Sequence, residues 1–535
     1  MLKGDKKEGQ VARDKLHQRY HSLAKRLRQT DADELLEMFL TAITTAYDPH
    51  TTYMSPSSLE NFRILMRLNL EGIGAALQVE DGYTMVSKVI PGGAADKHGK
   101  LRPKDRIVSV DKDNSGELVD VVDMKLNDVV AMIRGPAGTV VRLGVIPAGS
   151  TETKVYAITR ARIELRDSEA HGEVMEQPPR PDPAKEPPVP DRSPGQIPPR
   201  DGNADDRPLR IGVLDLPSFY MDMEGAGNGL NEYKSTTRDV RRILHEFEAK
   251  RADAVVLDLR HNGGGSLTEA ISLTGLFIDT GAVVQVKDSD GRVQQYDDTE
   301  RGMAWKGPLV VVTSKFSASA SEILAGAIQD YHRGLIVGDT STHGKGTVQS
   351  LLDLGKQTFR IPNPPNLGAL KITMQQFYRP NGDSTQKRGV LSDIRLPSIT
   401  DHMDVAEGDL DYAIEFDRLP PARYSRFNMV SPDLVQTLTA RSQARIAQVP
   451  DFTKLLRNIE RYKAQKAKKM VNLKADEYFA ERAEIDAEKE EEKQLEDSTQ
   501  KTEQKIKRDH YLNEVLAITA DYVRLLQAAR VARAQ

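Results

Sequence analysis

The most informative segment of the chain is residues 309–323, which read LVVVTSKFSASASEI. Its first five residues form an uninterrupted apolar run, which indicates a strand buried on both faces of a sheet. The serines and alanines that follow lead directly into a helical pattern over residues 322–331. A buried strand that is followed at once by a helix predicts an α/β architecture with a largely parallel sheet.

The same alternation extends on both sides of this segment. We predict strands over 211–216, 254–259 and 335–337, and helices over 236–249 and 267–277. Residues 209–400 are therefore expected to form one α/β core.

Composition divides the rest of the chain into further regions. A length of 535 residues suggests three or four domains. Eleven of the 28 prolines lie within residues 178–208, among charged residues, which is typical of a linker. The predicted fold class is multidomain α+β. Before the core we expect a helical region 1–66, a small β-rich module 67–165 with one prominent helix at 126–134, and a Pro-rich linker 166–208. After the core we expect a helical, charged domain 401–535, which is most densely charged over 462–508.

Composition also excludes several classes of function. The formal net charge is −4 and aromatic residues make up 5%, so neither a basic field nor stacking platforms for nucleic acid are expected. The chain has no Cys, which excludes disulfides, thiolate zinc sites and a cysteine nucleophile. The longest early apolar stretch, residues 35–47, is interrupted by Glu37, so no membrane span is expected.

Ser319 is the first candidate for chemistry. It is the middle serine of the run 317–321, where the strand becomes a helix, and nucleophilic serines are often displayed at such elbows. The helix that begins there directs free N–H groups towards any oxyanion formed. The alternative is structural, since Ser319-x-x-Glu322 is also a capping box. The segment alone leaves both interpretations open.

The run GDTSTHGKGTVQ, residues 338–349, contains the second candidate, Lys345. The run fails as a phosphate-binding loop, because five residues separate Gly338 from Gly344 and Gly346 stands where a magnesium-binding Ser or Thr is needed. Burial beside an apolar sheet would lower the pKa of Lys345 and make it a general base. A surface lysine in a flexible loop is the alternative.

Two glycine-containing loops are candidates for binding through backbone N–H groups. Residues 258–265, DLRHNGGG, follow a predicted strand and would form an oxyanion hole, an anion nest or a simple tight turn. The loop Gly72-Ile73-Gly74-Ala75 would bind the carboxylate of a peptide that adds as a strand beside the helix, or would be an ordinary turn. The facing helix offers Val129, Val130 and Ile133, so the last peptide side chain should be apolar and fairly small.

Five motifs in this order resemble those of the carboxyl-terminal processing (tail-specific) serine protease family. They are Asp48-Pro-His-Thr-Thr-Tyr53, Leu70-Glu-Gly-Ile-Gly74, Asp258-Leu-Arg260, Phe316-Ser-Ala-Ser-Ala-Ser-Glu-Ile323 and Gly344-Lys-Gly-Thr-Val-Gln349. The resemblance covers nearly the whole chain and implies a PDZ domain followed by a serine-peptidase core with a Ser–Lys dyad. It also implies that no cofactor or metal is used, and a periplasmic location.

Carried over to the residues, the resemblance implies that Ser319 is the nucleophile, Lys345 the general base and Gln349 the residue that orients the lysine. The backbone N–H groups of Gly264 and Ala320 would form the oxyanion hole.

The resemblance further implies that Asp330, at the far end of the helix after the nucleophile, supports the structure. Substrates would be unfolded or tagged proteins recognised by apolar C-termini, with an adaptor protein as a further partner. The loop before the lysine is one residue longer than in the family and carries His343 where an aromatic residue is usual. The Pro-rich segment is expected to be an insertion, and a secretory signal and much of the first helical region are expected to be missing before residue 1.

Two alternatives to the Ser–Lys peptidase are considered. A non-catalytic PDZ adaptor on a degenerate peptidase scaffold is disfavoured by the intact serine, lysine and glycine motifs. A Ser–His hydrolase would use His343 or His261 as its base.

Overall fold

The computed structural model describes residues 6–178, 207–230, 232–470, 474, 506 and 508–534. Most of the predicted Pro-rich linker and most of the charged segment 462–508 lie outside the described residues. The described chain contains an N-terminal helical region, a small β domain, a core with two sheets and C-terminal helices.

The N-terminal region is helical except for one strand that joins the core. It contains α1 (Lys6–Arg28), α2 (Ala32–Thr45), β1 (Thr52–Met54) and α3 (Pro56–Arg67). Asp31 caps α2 by accepting the Glu34 N–H at 2.8 Å. Thr52 pairs with Lys371 of a core strand, and the side chain of Tyr53 is buried there. The prediction of a helical region over residues 1–66 therefore misses one strand, which forms because the core offers it a pairing edge.

The core of the small β domain lies between antiparallel strands and two short helices. Its elements are β2 (Asn69–Gly72), β3 (Ala75–Glu80), β4 (Tyr83–Val89), α4 (Ala94–His98), β5 (Arg106–Asp111), β6 (Val119–Asp120), α5 (Leu126–Ile133), β7 (Val140–Ile146), β8 (Lys154–Thr159) and β9 (Ala161–Glu164). The sheet order is β3-β4-β5-β7-β8, with β6 on β5, and β2 pairs separately with β9. Strand β3 therefore lies at the edge of the sheet, and it contacts α5.

The principal sheet of the core has the order β10-β11-β12-β15-β16-β19 and is parallel except for its first strand. Its strands are β10 (His171–Gln177), β11 (Leu209–Asp215), β12 (Ala254–Asp258), β15 (Leu309–Thr313), β16 (Leu335–Gly338) and β19 (Ile394–Arg395). This agrees with the predicted parallel sheet. The predicted linker 166–208 begins too early, because Val174 and Met175 pack into the core on opposite faces of β10.

Helices cover both faces of this sheet. One face is covered by α7 (Thr236–Ala249), α8 (Leu267–Gly275) and α9 (Ala320–Asp330), and α6 (Met223–Gly227) lies in the connection after β11. Consecutive residues of the central strand alternate between the two faces, since Val311 packs with these helices and Val310 and Val312 pack on the other side. The fully buried run that was predicted is therefore a strand between two apolar layers.

A second, antiparallel sheet was not predicted. It contains β13 (Gly281–Asp288), β14 (Val293–Asp298), β17 (Thr347–Asp353) and β18 (Ala369–Tyr378), and α10 (Leu354–Thr358) connects the last two. Its order is β1-β18-β13-β14, and β17 also pairs with β18. Lys345 lies two residues before β17, so this sheet fixes the loop that carries the lysine.

The C-terminal helices close the other face of the principal sheet. They are α11 (Pro432–Ile446), α12 (Pro450–Ala467) and α13 (His510–Ala534). Val515, Leu516 and Tyr522 of α13 are fully buried against the sheet. Arg445 joins α11 to α13 by donating to Glu514 at 2.8 Å. The C-terminal region is thus helical, as predicted, and α13 is part of the core.

Candidate active site

Ser319 lies where β15 leads into α9, and its backbone is strained. Its φ is +55° and its ψ is −111°, a conformation that side chains other than glycine rarely adopt. Such strain is found where a sharp strand-to-helix turn displays a nucleophile.

The three serines of this turn have different environments. Ser317 and Ser321 are fully buried, and their hydroxyls donate to the carbonyl oxygens of Leu259 at 2.7 Å and Asn262 at 2.9 Å. Ser319 is partly exposed. Of the three hydroxyls, that of Ser319 alone combines access to solvent with freedom from these backbone bonds.

Half of the capping interpretation applies. The Glu322 carboxylate accepts the Ser319 backbone N–H at 2.8 Å, as in a capping box. The Glu322 N–H donates to the Ser319 carbonyl oxygen at 2.8 Å, and the Ser319 side chain makes no capping hydrogen bond. The hydroxyl therefore remains available for chemistry.

The Glu322 carboxylate also binds the loop that carries the lysine. Oε2, which accepts the N–H of Ser319, accepts the Lys345 backbone N–H at 2.9 Å. Oε1 accepts the Gly344 N–H at 2.7 Å and the Thr342 hydroxyl at 2.6 Å. Complete burial raises the pKa of Glu322 to about 7, against the opposing effect of these hydrogen bonds. One carboxylate oxygen thus holds the backbone nitrogens of Ser319 and Lys345 close together.

The backbone around Lys345 is fixed on its other side by residues 384–389. The Gly346 N–H donates to Gln386 Oε1 at 2.7 Å, and the Thr385 hydroxyl donates to the Lys345 carbonyl oxygen at 3.1 Å. At Gly344, where φ is +95°, an added Cβ would lie 3.0 Å from the Lys387 carbonyl carbon, so only glycine fits.

Burial, together with the nearby positive charge of Lys371, lowers the pKa of Lys345 to about 8. Within the described part of the chain, the ammonium makes no hydrogen bond, either to Ser319 or to another group. Lys345 therefore loses its proton readily, but its side chain forms no hydrogen bond with Ser319 in the described structure.

The glycine loop after β12 lies directly against Ser319. An added Cβ on Gly264, where φ is +104°, would lie 3.0 Å from Ser319 Cβ and 3.2 Å from the Ala320 nitrogen. The Ala320 N–H, first in α9, donates to no described group. The Gly264 N–H, however, donates to Asn262 Oδ1 at 2.9 Å, so it is not free for an oxyanion in this structure. The Asn262 amide side chain is the physical reason for this departure from expectation.

The expected contact between Gln349 and Lys345 is absent from the described structure. The Gln349 side chain donates to the Thr347 hydroxyl at 2.9 Å and the Thr373 hydroxyl at 3.2 Å, because β17 pairs with β18 at this position. The Thr373 hydroxyl donates in turn to Asp48 at 2.8 Å.

Several residues near the site have structural roles that the sequence motifs do not predict. His50 Nε2 lies 2.8 Å from Glu407 Oε2, and the Gln386 amide donates to Glu407 Oε1 at 2.8 Å. His50 belongs to the motif of residues 48–53, but the sequence predicts no role for it, and Glu407 lies in no motif. Both hold the lysine loop, because Gln386 binds the Gly346 N–H.

Among the described residues, neither histidine of the Ser–His alternative forms a hydrogen bond with Ser319. His343 Nδ1 is buried 3.7 Å from Glu407 Oε2, and burial lowers the pKa of this histidine. His261 is exposed on the glycine loop.

Asp330 lies at the end of α9 opposite Ser319. Its Oδ1 accepts from Arg379 at 2.5 Å, and its Oδ2 accepts the Asn381 N–H at 3.2 Å. The Asp330–Arg379 ion pair joins α9, which follows Ser319, to the segment that leads into residues 384–389. Those residues bind the backbone around Lys345.

The small β domain departs from expectation at its helix. Val129 and Ile133 are buried inside the domain core, because the spacing of α5 turns them towards the sheet, so they do not line an open groove. Val130 is half-buried on the neighbouring face. The Gly72-Ile73-Gly74-Ala75 loop joins β2 to the edge strand β3, and the Ile73 and Gly74 N–H groups donate to no described group.

No three His, Asp or Glu side chains of the described ranges are grouped so that they could hold a metal ion. None of the described helices is both long and apolar enough to cross a bilayer.

Four family descriptions match consecutive parts of the chain. The tail specific protease N-terminal domain matches residues 1–57 and the PDZ domain matches 63–146. Peptidase family S41 matches residues 210–396, and the C-terminal domain of tail specific protease matches 400–524.

Curated and solved relatives agree with these matches. The tail-specific protease of Haemophilus influenzae is 34% identical over 97% of this chain and 70% of its own. The carboxyl-terminal-processing protease of Synechocystis sp. is 27% identical over 70% of this chain and 75% of its own. The peptide-bound PDZ domain of a carboxy-terminal protease from Vibrio cholerae is 42% identical over 18% of this chain and 100% of its own, with a TM-score of 0.18.

Proposed function

Because the chain belongs to the tail-specific proteases of peptidase family S41 and is a serine-type peptidase, we propose that Ser319 and Lys345 form its catalytic dyad. The observation that carries this proposal is the shared bond to Glu322 Oε2. The strained backbone of Ser319 and the low pKa of Lys345 support it.

In the proposed mechanism, neutral Lys345 Nζ takes the proton of the Ser319 hydroxyl as Oγ attacks the scissile carbonyl carbon. The oxyanion accepts the free Ala320 N–H and the Gly264 N–H, which leaves Asn262 Oδ1 for this purpose. The lysine then gives its proton to the leaving amine, and an acyl-enzyme on Ser319 remains. Water, deprotonated by Lys345, hydrolyses this ester and restores the serine.

Gln349 is proposed to orient the lysine as it approaches Ser319. The Gln349 NH₂ group is occupied by two threonines, so its Oε1 is the atom left to accept from an ammonium. Those threonine bonds fix the amide plane, which gives the acceptor a defined direction.

We propose that the PDZ domain recognises apolar protein C-termini. The edge strand β3 leaves room for a peptide to add as a strand beside α5. The unpartnered N–H groups of Ile73 and Gly74 would bind the terminal carboxylate. Val130, with the half-buried Leu126 and Leu77, would contact the last side chain.

The proposed substrates are unfolded or tagged proteins, delivered directly or by an adaptor protein, and the proposed compartment is the periplasm. The motif resemblance supports this location, and the lack of Cys is compatible with an oxidising compartment.

The test is incubation of the purified chain with an unfolded protein that ends in an apolar tail, followed by mass spectrometry of the products. We expect fragments from the wild type and none from Ser319→Ala. Ser317→Ala is the matched control: it should cut the substrate, although the loss of two buried hydrogen bonds should lower the free energy of unfolding by about 1–3 kcal/mol for each bond. Fragments that persist in Ser319→Ala would refute the dyad.

A further inference from the structure

A small apolar cavity with a volume of about 220 Å³ lies between α3, the segment after β11 and strand β17. Its apolar lining comes from Phe62, Met66, Met221, Met223 and Leu351, all of them reached by solvent. Three of the five are Met, whose unbranched thioether side chain adapts to partners of different shape. Charged residues stand around this lining, and Arg63 and Glu224 approach each other to 3.8 Å there. The cavity thus offers an adaptable apolar floor with a polar rim.

One wall of the cavity is connected to the nucleophile. Met221 Sδ lies 3.5 Å from the Ser266 hydroxyl. Ser266 follows Gly264 by two residues, and the Gly264 backbone lies against Ser319. This wall therefore continues the loop that contacts the nucleophile.

The opposite wall is connected to the base. Leu351 follows Gln349 by two residues on β17, so the two side chains point to the same face of the sheet. Their partners on β18 are Lys371 and Thr373. Lys345 lies two residues before this strand and six residues before Leu351, so this wall continues the strand that follows the lysine loop.

We propose that this cavity is a substrate subsite that takes one large apolar side chain, such as Leu, Met or Phe, within three residues of the bond that is cut. The inference rests on the proposed function of Ser319. An extended peptide advances about 3.3 Å per residue, so three residues reach about 10 Å from the bond that is cut. The contact of Gly264 with Ser319 and that of Ser266 with Met221 mark the path that such a peptide would follow. The cavity is smaller than the roughly 300 Å³ that drug-sized ligands need, which suits a single side chain.

The experiment uses a library of unfolded substrates that share one free apolar tail and differ in a randomised internal region. Fragment ends are identified by mass spectrometry, and only cuts that Ser319→Ala abolishes are counted. For the wild type we expect Leu, Met and Phe to be enriched at one fixed position by about 10- to 150-fold over Asp, as burial of such side chains allows. Leu351→Asp should remove this enrichment while cuts with Ala at that position continue.

Val293→Asp is the matched control, because Val293 lies on β14 of the same sheet, is 47% exposed against 37% for Leu351, and lies outside the cavity. It should keep the wild-type preference. Met66→Trp, which fills the cavity from α3, should lose it, and this second variant covers the case in which Leu351→Asp fails to fold.

Identical fragment ends for the wild type and either folded cavity variant would overturn the subsite. A wild type without any Ser319-dependent cut would instead refute the proposed function, and the subsite with it, so the two failures are distinguishable.

Discussion

Ser319 and Lys345 donate their backbone N–H groups to the same atom, Glu322 Oε2, at 2.8 and 2.9 Å. Their side chains make no hydrogen bond to each other within the described structure. The buried carboxylate thus fixes the two backbones relative to each other, and the proposed dyad would form by movement of the side chains.

Glu322→Gln should lower kcat/KM by about 100-fold or more. The variant keeps the volume, but one terminal atom becomes an NH₂ group that faces N–H donors, and each lost charge-assisted hydrogen bond costs about 1.5–3 kcal/mol. We expect the loss mainly in kcat, because the site is misaligned while tail binding is intact. The measurement is steady-state cleavage together with thermal unfolding. Glu300→Gln, at an exposed residue paired with Arg241, is the control; wild-type kcat in Glu322→Gln would contradict the bridging role.

The pH dependence should report the lysine. Since only neutral Lys345 accepts a proton, kcat/KM should rise about tenfold per pH unit up to about pH 8 and level off above it. Lys345→Arg should be inactive, because guanidinium stays protonated. His343→Phe should stay active with the same profile. A midpoint below pH 6.5 that disappears in His343→Phe would establish a histidine base instead.

Lys371 should tune that profile. Its positive charge lowers the pKa of Lys345, so Lys371→Met should raise this pKa and move the rising limb to higher pH by about half a pH unit or more. Activity at pH 7 should fall, whereas the plateau above pH 9 should change little. Lys356→Met removes an exposed lysine elsewhere and should leave the midpoint unchanged. A fixed midpoint in Lys371→Met would show that burial alone sets the pKa.

Substrate tails should be distinguished by their last residue. One unfolded substrate with a free apolar tail should be cut about 10- to 150-fold faster, below saturation, than the same substrate with an amidated or Asp-terminated tail. Val130→Asp should reduce this discrimination, whereas Val122→Asp, at an exposed position of the same domain, should keep it. Equal rates for the three tails would mean that the PDZ domain does not read C-termini.

The strands of the principal sheet could be predicted because their residues are buried on both faces. Residues 309–313 and the helix 236–249 have the predicted bounds. The second sheet could not, since strands such as Val293–Asp298 are half exposed and mix polar with apolar residues without a clean period. Pairing partners far away in the chain create these strands.

The same distinction applies to the site. Ser319 and Lys345 were found from local motifs, whereas Glu407 and Thr373 enter through contacts between distant segments, which no local pattern records. The apolar positions of α5 were recognised, but spacing alone does not say which of them the domain core takes, and Val129 was therefore misassigned.

The PDZ domain is joined to the peptidase core at both of its ends. Strand β1, before it, and strand β10, after it, each belong to a core sheet, and β2 and β9 pair side by side where the chain enters and leaves. A tail bound to this domain, as proposed above, would be kept at high effective concentration near Ser319. The substrate residues between that tail and the cut must span the distance from the PDZ domain to Ser319, which sets a minimum number of residues between the tail and the first cut.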